Sequence, residues 1–527
     1  MTVGSVAPVE NMAAQKGEQL DAVSLEPHDL NASPNPRHLS YRILGILAWS
    51  LIILALVGLV LAPRSLLEVA RFLAVYMMIR LVLLTVFYLY GLVQFRAAEE
   101  RASAAAGPAA QHQAVHHVVV LPNFDEPPEI LSRTLQALTV QQGARDHMTV
   151  VLGMEEREPG ARDKAEALVA EHRGAFHSLM ATYHPSALPG EIPGKGTNQT
   201  WAVRCARREL VDRLGIAPDQ IVVTIADCDS IIHPLYFAEL TRQFGSDLRR
   251  HSLVWQPPIL FENDIWRAHA LIRLVTFYTN VAATGDYTNP WEPKFPYSTY
   301  SMSLKLLEEV GYWDPTVVTE DVNIFMRSFF KKAGRAFVQR VYLPVRGNPT
   351  HGANLRHALG ILFAQKVRHG RGGAEIGYLL QKWNSSPGTP FVPKLWRLLK
   401  LLHDHLLIST AGIIVTLGIG VSIALDQSAA ITFPPAGGGT LAILALNLLG
   451  GGALVTIWLA ERLRLSRGRT DWRPRILLGE FVPWLLFPVL FFALLSLPIL
   501  QAQTTMLLGK PSYFNRTPKG LQAQVHD

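Results

Sequence analysis

The sequence predicts an α/β domain with a largely parallel sheet, inserted between transmembrane helices. Three observations predict it. Long apolar runs gather near both ends of the chain, and between them strand-length apolar runs alternate with helical patterns. Apolar residues make up 49% of the 527, and mean hydropathy is positive. The chain thus reads as a tail (1–40), two spans (41–96), an α/β domain (97–350), interfacial helices (351–400), about three spanning or re-entrant helices (401–505) and a C-terminal tail (506–527).

The first 40 residues are polar, Pro/Asn-rich and without period, so they read as a disordered tail. No secretory signal opens the sequence, because the first apolar run begins near Ile43. That run, Ile43–Ala62, is long enough to cross a bilayer core, and a second, about Phe72–Phe95, follows a short loop. Beyond it, His117–Leu121, Met148–Met154 and Ile221–Ala226 read as strands, with Glu129–Gln142 and Asp163–Arg173 as helices between them. Apolar runs resume at Leu406–Leu425, Leu441–Ala460 and Ile476–Ile499. The last contains Pro483, Pro488 and Pro498, which leaves open one kinked span or a broken pair. Gly450–Gly452 reads as close helix packing rather than a phosphate loop.

The net charge is +7. With no zinc-finger spacing and no long Lys/Arg run, the expected partner is membrane lipid rather than nucleic acid. Arg462, Arg464, Arg467, Arg469, Arg473 and Arg475 crowd one loop, whereas 426–440 has no Lys or Arg. The positive-inside rule makes the Arg-rich loop, and with it the α/β domain, cytoplasmic. Two isolated cysteines, Cys205 and Cys228, form neither a disulfide framework nor a tetrahedral metal site.

Six short motifs carry candidate chemistry. Asp227-Cys228-Asp229 closes the strand-like run ending at Ala226; in extended backbone, residues two apart share a side. Two hard oxygen ligands at the carboxyl edge of an α/β sheet suit Mg²⁺ or Mn²⁺ on a diphosphate; the alternative is two loop aspartates capping a turn. Pro122-Asn123-Phe124-Asp125-Glu126 follows another strand; its acids either hold a ribose or base edge, or favour a helix N-terminus. Glu155-Glu156 ends a third strand, as ligand carboxylates or a solvated charge cluster. Gly194-Lys195-Gly196 is either a phosphate contact or a plain surface turn; it lacks the Ser/Thr of a Walker loop. Thr319-Glu320-Asp321 is either a capped helix start or the seat of a general base. Gln365, Arg368 and His369 share one helix face, which snorkels to headgroups or holds a departing diphosphate.

In this order and spacing the motifs resemble the family 2 inverting glycosyltransferases of GT-A type, with cellulose, hyaluronan and chitin synthases among them. Pro122–Glu126 is similar to the family's opening motif, and Asp227-Cys228-Asp229 to its metal motif. Thr319-Glu320-Asp321 matches its Thr-Glu-Asp motif, and Gln365–His369 its Gln-x-x-Arg-Trp signature. The resemblance covers about 115–373. It implies a Rossmann-like nucleotide-sugar-binding domain and transfer of a sugar, from a UDP-sugar for choice, to a polysaccharide or lipid-linked acceptor. It further implies a nucleotide over Pro122, Asp125, Glu126, Glu155 and Glu156, with Lys195, Asp227, Gln365, Arg368 and His369 also on the donor. Asp227 and Asp229 would hold the metal, and Asp321, with Glu320 beside it, would act as base. The sequence departs from the pattern in Glu for Asp at 155 and 156, His369 for Trp, and Phe295-Pro296-Tyr297-Ser298-Thr299 where synthases carry a Gly-containing acceptor motif. These touch nucleotide contacts, processivity and acceptor identity, not the reaction class. Two other classes use similar parts: a nucleotide-sugar-sensing scaffold or transporter without activity, and a metal-dependent nucleotidyltransferase.

Overall fold

The structure, a computed structural model, describes residues 37–105, 115–186, 188–421, 438–465, 473 and 479–510. The expected tails over 1–36 and 511–527, the loop 426–437 and most of the Arg-rich loop lie outside the described residues.

Helices α1 (Leu39–Leu61) and α2 (Pro63–Ala105) open the described chain, separated only by Ala62. The loop expected over Pro63–Arg71 is therefore helical. Proline at the first helical position gives up no hydrogen bond and presets the helical φ. The α/β region then runs β1 (His116–Pro122), α3 (Pro128–Thr139), α4 (Ala144–His147), β2 (Met148–Glu155), α5 (Ala161–Glu171), β3 (Ser178–His184), α6 (Lys195–Arg207) and β4 (Ile221–Ile225). It continues through β5 (Ile231–Ile232), α7 (Tyr236–Ser246), β6 (Leu253–Gln256), β7 (Ile259–Phe261), α8 (Ala270–Thr288), β8 (Tyr300–Ser303), α9 (Leu304–Val310), α10 (Glu320–Lys331), β9 (Phe337–Arg340) and β10 (Val345–Gly347). Helices α11 (Leu355–Gly370), α12 (Ala374–Ser385), α13 (Phe391–Val415) and α14 (Gly438–Leu465) follow.

Seven strands form one sheet in the order β3-β2-β1-β4-β8-β6-β9. Strands β3, β2, β1 and β4 are mutually parallel, so their carboxyl ends share one edge. Strand β8 is antiparallel to β4, with Tyr300 opposite Ile225. Its amino end therefore lies at the edge where β4 ends. A small sheet, β5-β10-β7, brings the end of β10 into the site. The pleat divides the apolar side chains between two cores. Val119, Leu121, Val150 and Leu152 meet Leu131 and Leu135 of α3 and Phe237 of α7. Val118, Val120, Val223 and Ile225 meet Val203 of α6 and Ile324 and Phe325 of α10. Burial on both faces is why these strands read as unbroken apolar runs.

Among the described residues, four helical stretches are long and apolar enough to cross a membrane: Leu39–Leu61, Pro63–Ala104, Phe391–Val421 and Gly479–Leu507. Several of their large apolar residues, such as Val60, Leu61 and Phe72, point outward, as lipid contact requires. The proline-rich final segment is one kinked stretch of short 3₁₀, α and π turns, with Pro483, Pro488 and Pro498 each in the first turn of a piece. Gly450 does serve close packing, since a Cβ there would overlap the Met78 side chain of α2; a Cβ at Gly451 or Gly452 would meet nothing within 4 Å among the described residues.

Candidate active site

The parallel strands deliver their carboxyl-terminal residues to one edge. Strand β4 stops at Ile225, and 227–230 form a turn closed by Ser230 N–H donating to Asp227 O at 2.9 Å. The extended backbone expected for Asp227 and Asp229 is thus absent, and the two carboxylates engage different partners. Asp227 Oδ1 accepts from Lys195 Nζ at 2.8 Å, and its Oδ2 from Ser298 Oγ at 2.7 Å. Asp229, buried, accepts at Oδ2 from the Asn348 backbone N–H just past β10 at 3.0 Å.

Lys195 opens α6 behind Gly194, so it is no surface turn. Its ammonium also donates to Ser298 O at 2.9 Å and lies 3.8 Å from Glu320 Oε1. Burial alone would lower the pKa of this group, but Asp227 and Glu320 overcome burial and hold it raised. Gly196 lets the helix start approach Thr319-Glu320-Asp321: a Cβ there would sit 3.2 Å from the Glu320 Cβ.

Thr319-Glu320-Asp321 opens α10, but Thr319 makes no side-chain cap bond. Its hydroxyl instead donates to the buried Glu375 of α12 at 2.8 Å. Asp321 Oδ2 accepts from Ser298 N–H at 3.2 Å, and Oδ1 from Val322 N–H at 2.8 Å. Burial raises the pKa of both Glu320 and Asp321, with Lys195 opposing. A carboxylate so placed is a better proton acceptor than an exposed one.

The remaining motif residues line the same edge further out. Pro122 ends β1 beside Gly153, and Asp125 is exposed with a positive φ of 58°. Glu126 accepts from Phe124 N–H at 2.8 Å. Glu155, buried, pairs with Arg157, whose guanidinium lies 4.1 Å from the Phe124 ring centre. Glu156 is 3.6 Å from Arg162. Asn198, one turn past Lys195, ties this half to the helix by donating to Gly153 O at 2.8 Å. On α11, Gln365 accepts from Thr350 at 3.3 Å. His369 is solvent-accessible yet crowded, and desolvation, Lys366 and Arg368 hold its pKa well below the usual histidine value while Asp227 pulls it upward. The site therefore joins Lys195, Asp227, Ser298, Glu320 and Asp321 in one network, with His369 within the field of Asp227.

The sequence assigned no role of their own to Ser298, Asn348 and Glu375. Ser298 sits where the family carries a glycine-containing motif, and its φ of 59° is the conformation glycine favours. Asn348 and Glu375 act through a backbone N–H and a buried carboxyl, and no local pattern marks either.

The chemistry of Asp227 and Asp229 fits Mg²⁺ or Mn²⁺. Such ions take one or two carboxylates and leave their other positions to phosphate oxygens and water. Among the described residues, no group of three or more His, Cys, Asp or Glu gathers into a metal site. The pair thus suits an ion that arrives with a diphosphate, rather than an all-protein cage.

The sequence profile of glycosyl transferase family group 2 matches residues 222–499, more than half of the chain. No curated protein matches. Among solved structures, a mannosyltransferase from Pyrobaculum calidifontis in complex with GDP-Man and Mn²⁺ is 13% identical, with a TM-score of 0.40 over 81% of this chain and 99% of that one. S. aureus TarS 1–349 in complex with UDP-GlcNAc is 14% identical, with a TM-score of 0.31 over 68% of this chain and 93% of that one. GalNAc-T7 with UDP, GalNAc and Mn²⁺ is 11% identical, with a TM-score of 0.30 over 55% of each chain.

Proposed function

The chain belongs to glycosyl transferase family group 2 and is a glycosyltransferase, and we propose that it moves a sugar, with inversion, from a nucleotide-sugar donor to a glycan or lipid-linked acceptor at the cytoplasmic membrane face. A UDP-sugar is the first donor to test. The observation that carries this reading is the Lys195–Asp227–Ser298–Asp321 network, which sets a diphosphate-side carboxylate and a candidate base a few bonds apart.

The nucleotide lies over Pro122–Glu126 and Glu155-Glu156, and its diphosphate reaches the Asp227 edge. Asp321 takes the proton from an acceptor hydroxyl as its oxygen attacks the anomeric carbon. The bond from that carbon to the diphosphate oxygen breaks, and its electron pair leaves with the nucleoside diphosphate. Lys195 and Arg368 supply positive charge to the leaving group, and Gln365 and His369 close the donor's other side. Asp229, with Asp227 beside it, would hold Mg²⁺ or Mn²⁺, which supplies further charge neutralisation when bound. The membrane helices keep a lipid-linked or growing acceptor near the cleft.

The test is a panel of UDP- and GDP-sugars with detergent-purified protein, reading nucleoside diphosphate release. Release with one donor, enhanced by acceptor, is expected. Inorganic diphosphate as product would instead make the protein a nucleotidyltransferase, and binding without turnover would make it a sensor.

A further inference from the structure

Ser298 holds a conformation that serine adopts only at a cost, with φ at 59°. Glycine or asparagine would take that turn more readily. Yet the residue uses all three of its polar groups. The N–H donates to Asp321, the carbonyl accepts from Lys195, and the hydroxyl donates to Asp227 at 2.7 Å. Only the hydroxyl requires a side chain. The turn is also locked from behind. Gln256, at the end of β6 and fully buried, accepts from Tyr297 N–H at 2.9 Å and donates to Tyr297 O at 3.2 Å and to Thr299 O at 3.0 Å. One amide thus grips the residues on both sides of Ser298. Antiparallel β8 then fixes this turn against the end of β4.

We propose that Ser298 is a positioning residue for the donor: its hydroxyl, set by the Gln256 clamp, fixes the plane of the Asp227 carboxylate to receive a nucleoside diphosphate with its divalent cation. This rests on the donor site assigned above. Lys195 on one oxygen and Ser298 on the other together oppose rotation about the Cβ–Cγ bond, and loss of the hydroxyl removes one of these restraints. The Ser298 hydroxyl acts through Asp227, while the contact with Asp321 is made by the backbone N–H, which every residue but proline keeps at this position. The hydroxyl's effect therefore belongs to donor binding rather than to chemistry.

Ser298→Gly separates this from a merely structural turn. Glycine keeps the N–H to Asp321 and the carbonyl for Lys195, relieves the φ strain, and removes only the hydroxyl. The expected result is an unfolding temperature equal to or above the native one. Affinity for UDP or GDP with Mn²⁺, measured by calorimetry on the detergent-purified full chain, should fall on the order of tenfold, the scale of one hydrogen bond to a charged group. The donor KM should rise in step, with kcat at saturating donor within about twofold and its pH profile unmoved. Ser298→Ala should show the same loss of affinity with an unfolding temperature below that of Ser298→Gly, since alanine keeps the strain that glycine relieves. Native-like nucleotide affinity in Ser298→Gly overturns the proposal, as does a fall in kcat with KM unchanged. If the native protein binds neither nucleotide with Mn²⁺, the donor-site reading itself fails and this inference goes with it.

Discussion

Glu375 is a buried carboxyl beneath the base motif, and its charge state should be visible in the pH dependence of folding. Its Oε1 accepts from the Thr319 hydroxyl at 2.8 Å and its Oε2 from the Asn323 amide at 3.1 Å, while Asn323 Oδ1 is buried with no partner among the described residues. A half-turn of the Asn323 amide exchanges its nitrogen and oxygen. A protonated Glu375 would then donate to Asn323 Oδ1 and satisfy that orphan. Burial pushes Glu375 from 4.5 up to about 8. A raised acid pKa means the folded state binds a proton that the unfolded state releases. Its contribution is fully present below pH 4.5 and is lost as pH climbs to about 8. Each pH unit in that window costs the folded state about 1.4 kcal/mol, roughly 5 kcal/mol across it. Glu375→Gln matches the shape of the neutral acid, offers the same donor to Asn323, and has no such slope. Unfolding temperatures of both proteins in detergent from pH 5 to 9 should diverge as pH rises, by several degrees at the alkaline end, and transfer at neutral pH should stay near native. Parallel pH curves would refute the buried neutral acid. Collapse of transfer in Glu375→Gln would refute it too, by showing that the ionised form is needed.

Asp321→Asn should lower the transfer rate on the order of 10²-fold or more, the scale of a positioned base, with donor affinity little changed; near-native turnover would leave Asp321 a structural residue. The same variant should lose about 1 kcal/mol of stability, because both carboxylate oxygens accept backbone N–H groups and an amide has only one acceptor. Asp229→Ala should abolish transfer, and EDTA should do so reversibly; full activity in excess chelator would sink the metal assignment. A cysteine placed near Gly160 or in the loop 461–475 should resist membrane-impermeant thiol reagents in intact cells, and its labelling would overturn the cytoplasmic placement.

The strands that carry the first half of the site were legible because both of their faces are buried. β1, β2 and β4 appear as unbroken apolar runs ending in acids, and each ends within one or two residues of its expected boundary. Helix α10 was legible as an acidic start followed by an amphipathic run. The turn at Asp227-Cys228-Asp229 was not, because alternation cannot reveal where a ladder stops. That depends on β8, whose pairing with β4 runs from Val222 to Ile225 and stops there. Lys195 looked like a loop residue between glycines; its burial follows from the crossing of α6 over the sheet, which no local pattern encodes. Ser298 was visible only as a departure from a motif. Its importance comes from β8 being antiparallel, a long-range fact that places residue 298 beside residue 227.

The charge balance of the cleft joins these observations. Lys195 is the cation that Asp227 and Glu320 share, and burial already raises the pKa of Glu320 and Asp321. A diphosphate brought to this edge would add negative charge beside the Asp227, Glu320 and Asp321 carboxylates. Electrostatics therefore demand more positive charge at the moment the donor binds. In the proposed function Arg368 would meet part of that demand, and the Asp227/Asp229 pair would recruit a divalent cation for the rest. The same geometry argues that the fold does not depend on that cation. Without it, Asp227 keeps Lys195 and Ser298, and Asp229 keeps the Asn348 N–H. Chelation should accordingly weaken nucleotide binding while leaving the unfolding temperature nearly unchanged. A large drop in unfolding temperature on chelation would mean that these carboxylates need the ion to fold, contrary to the partners they have.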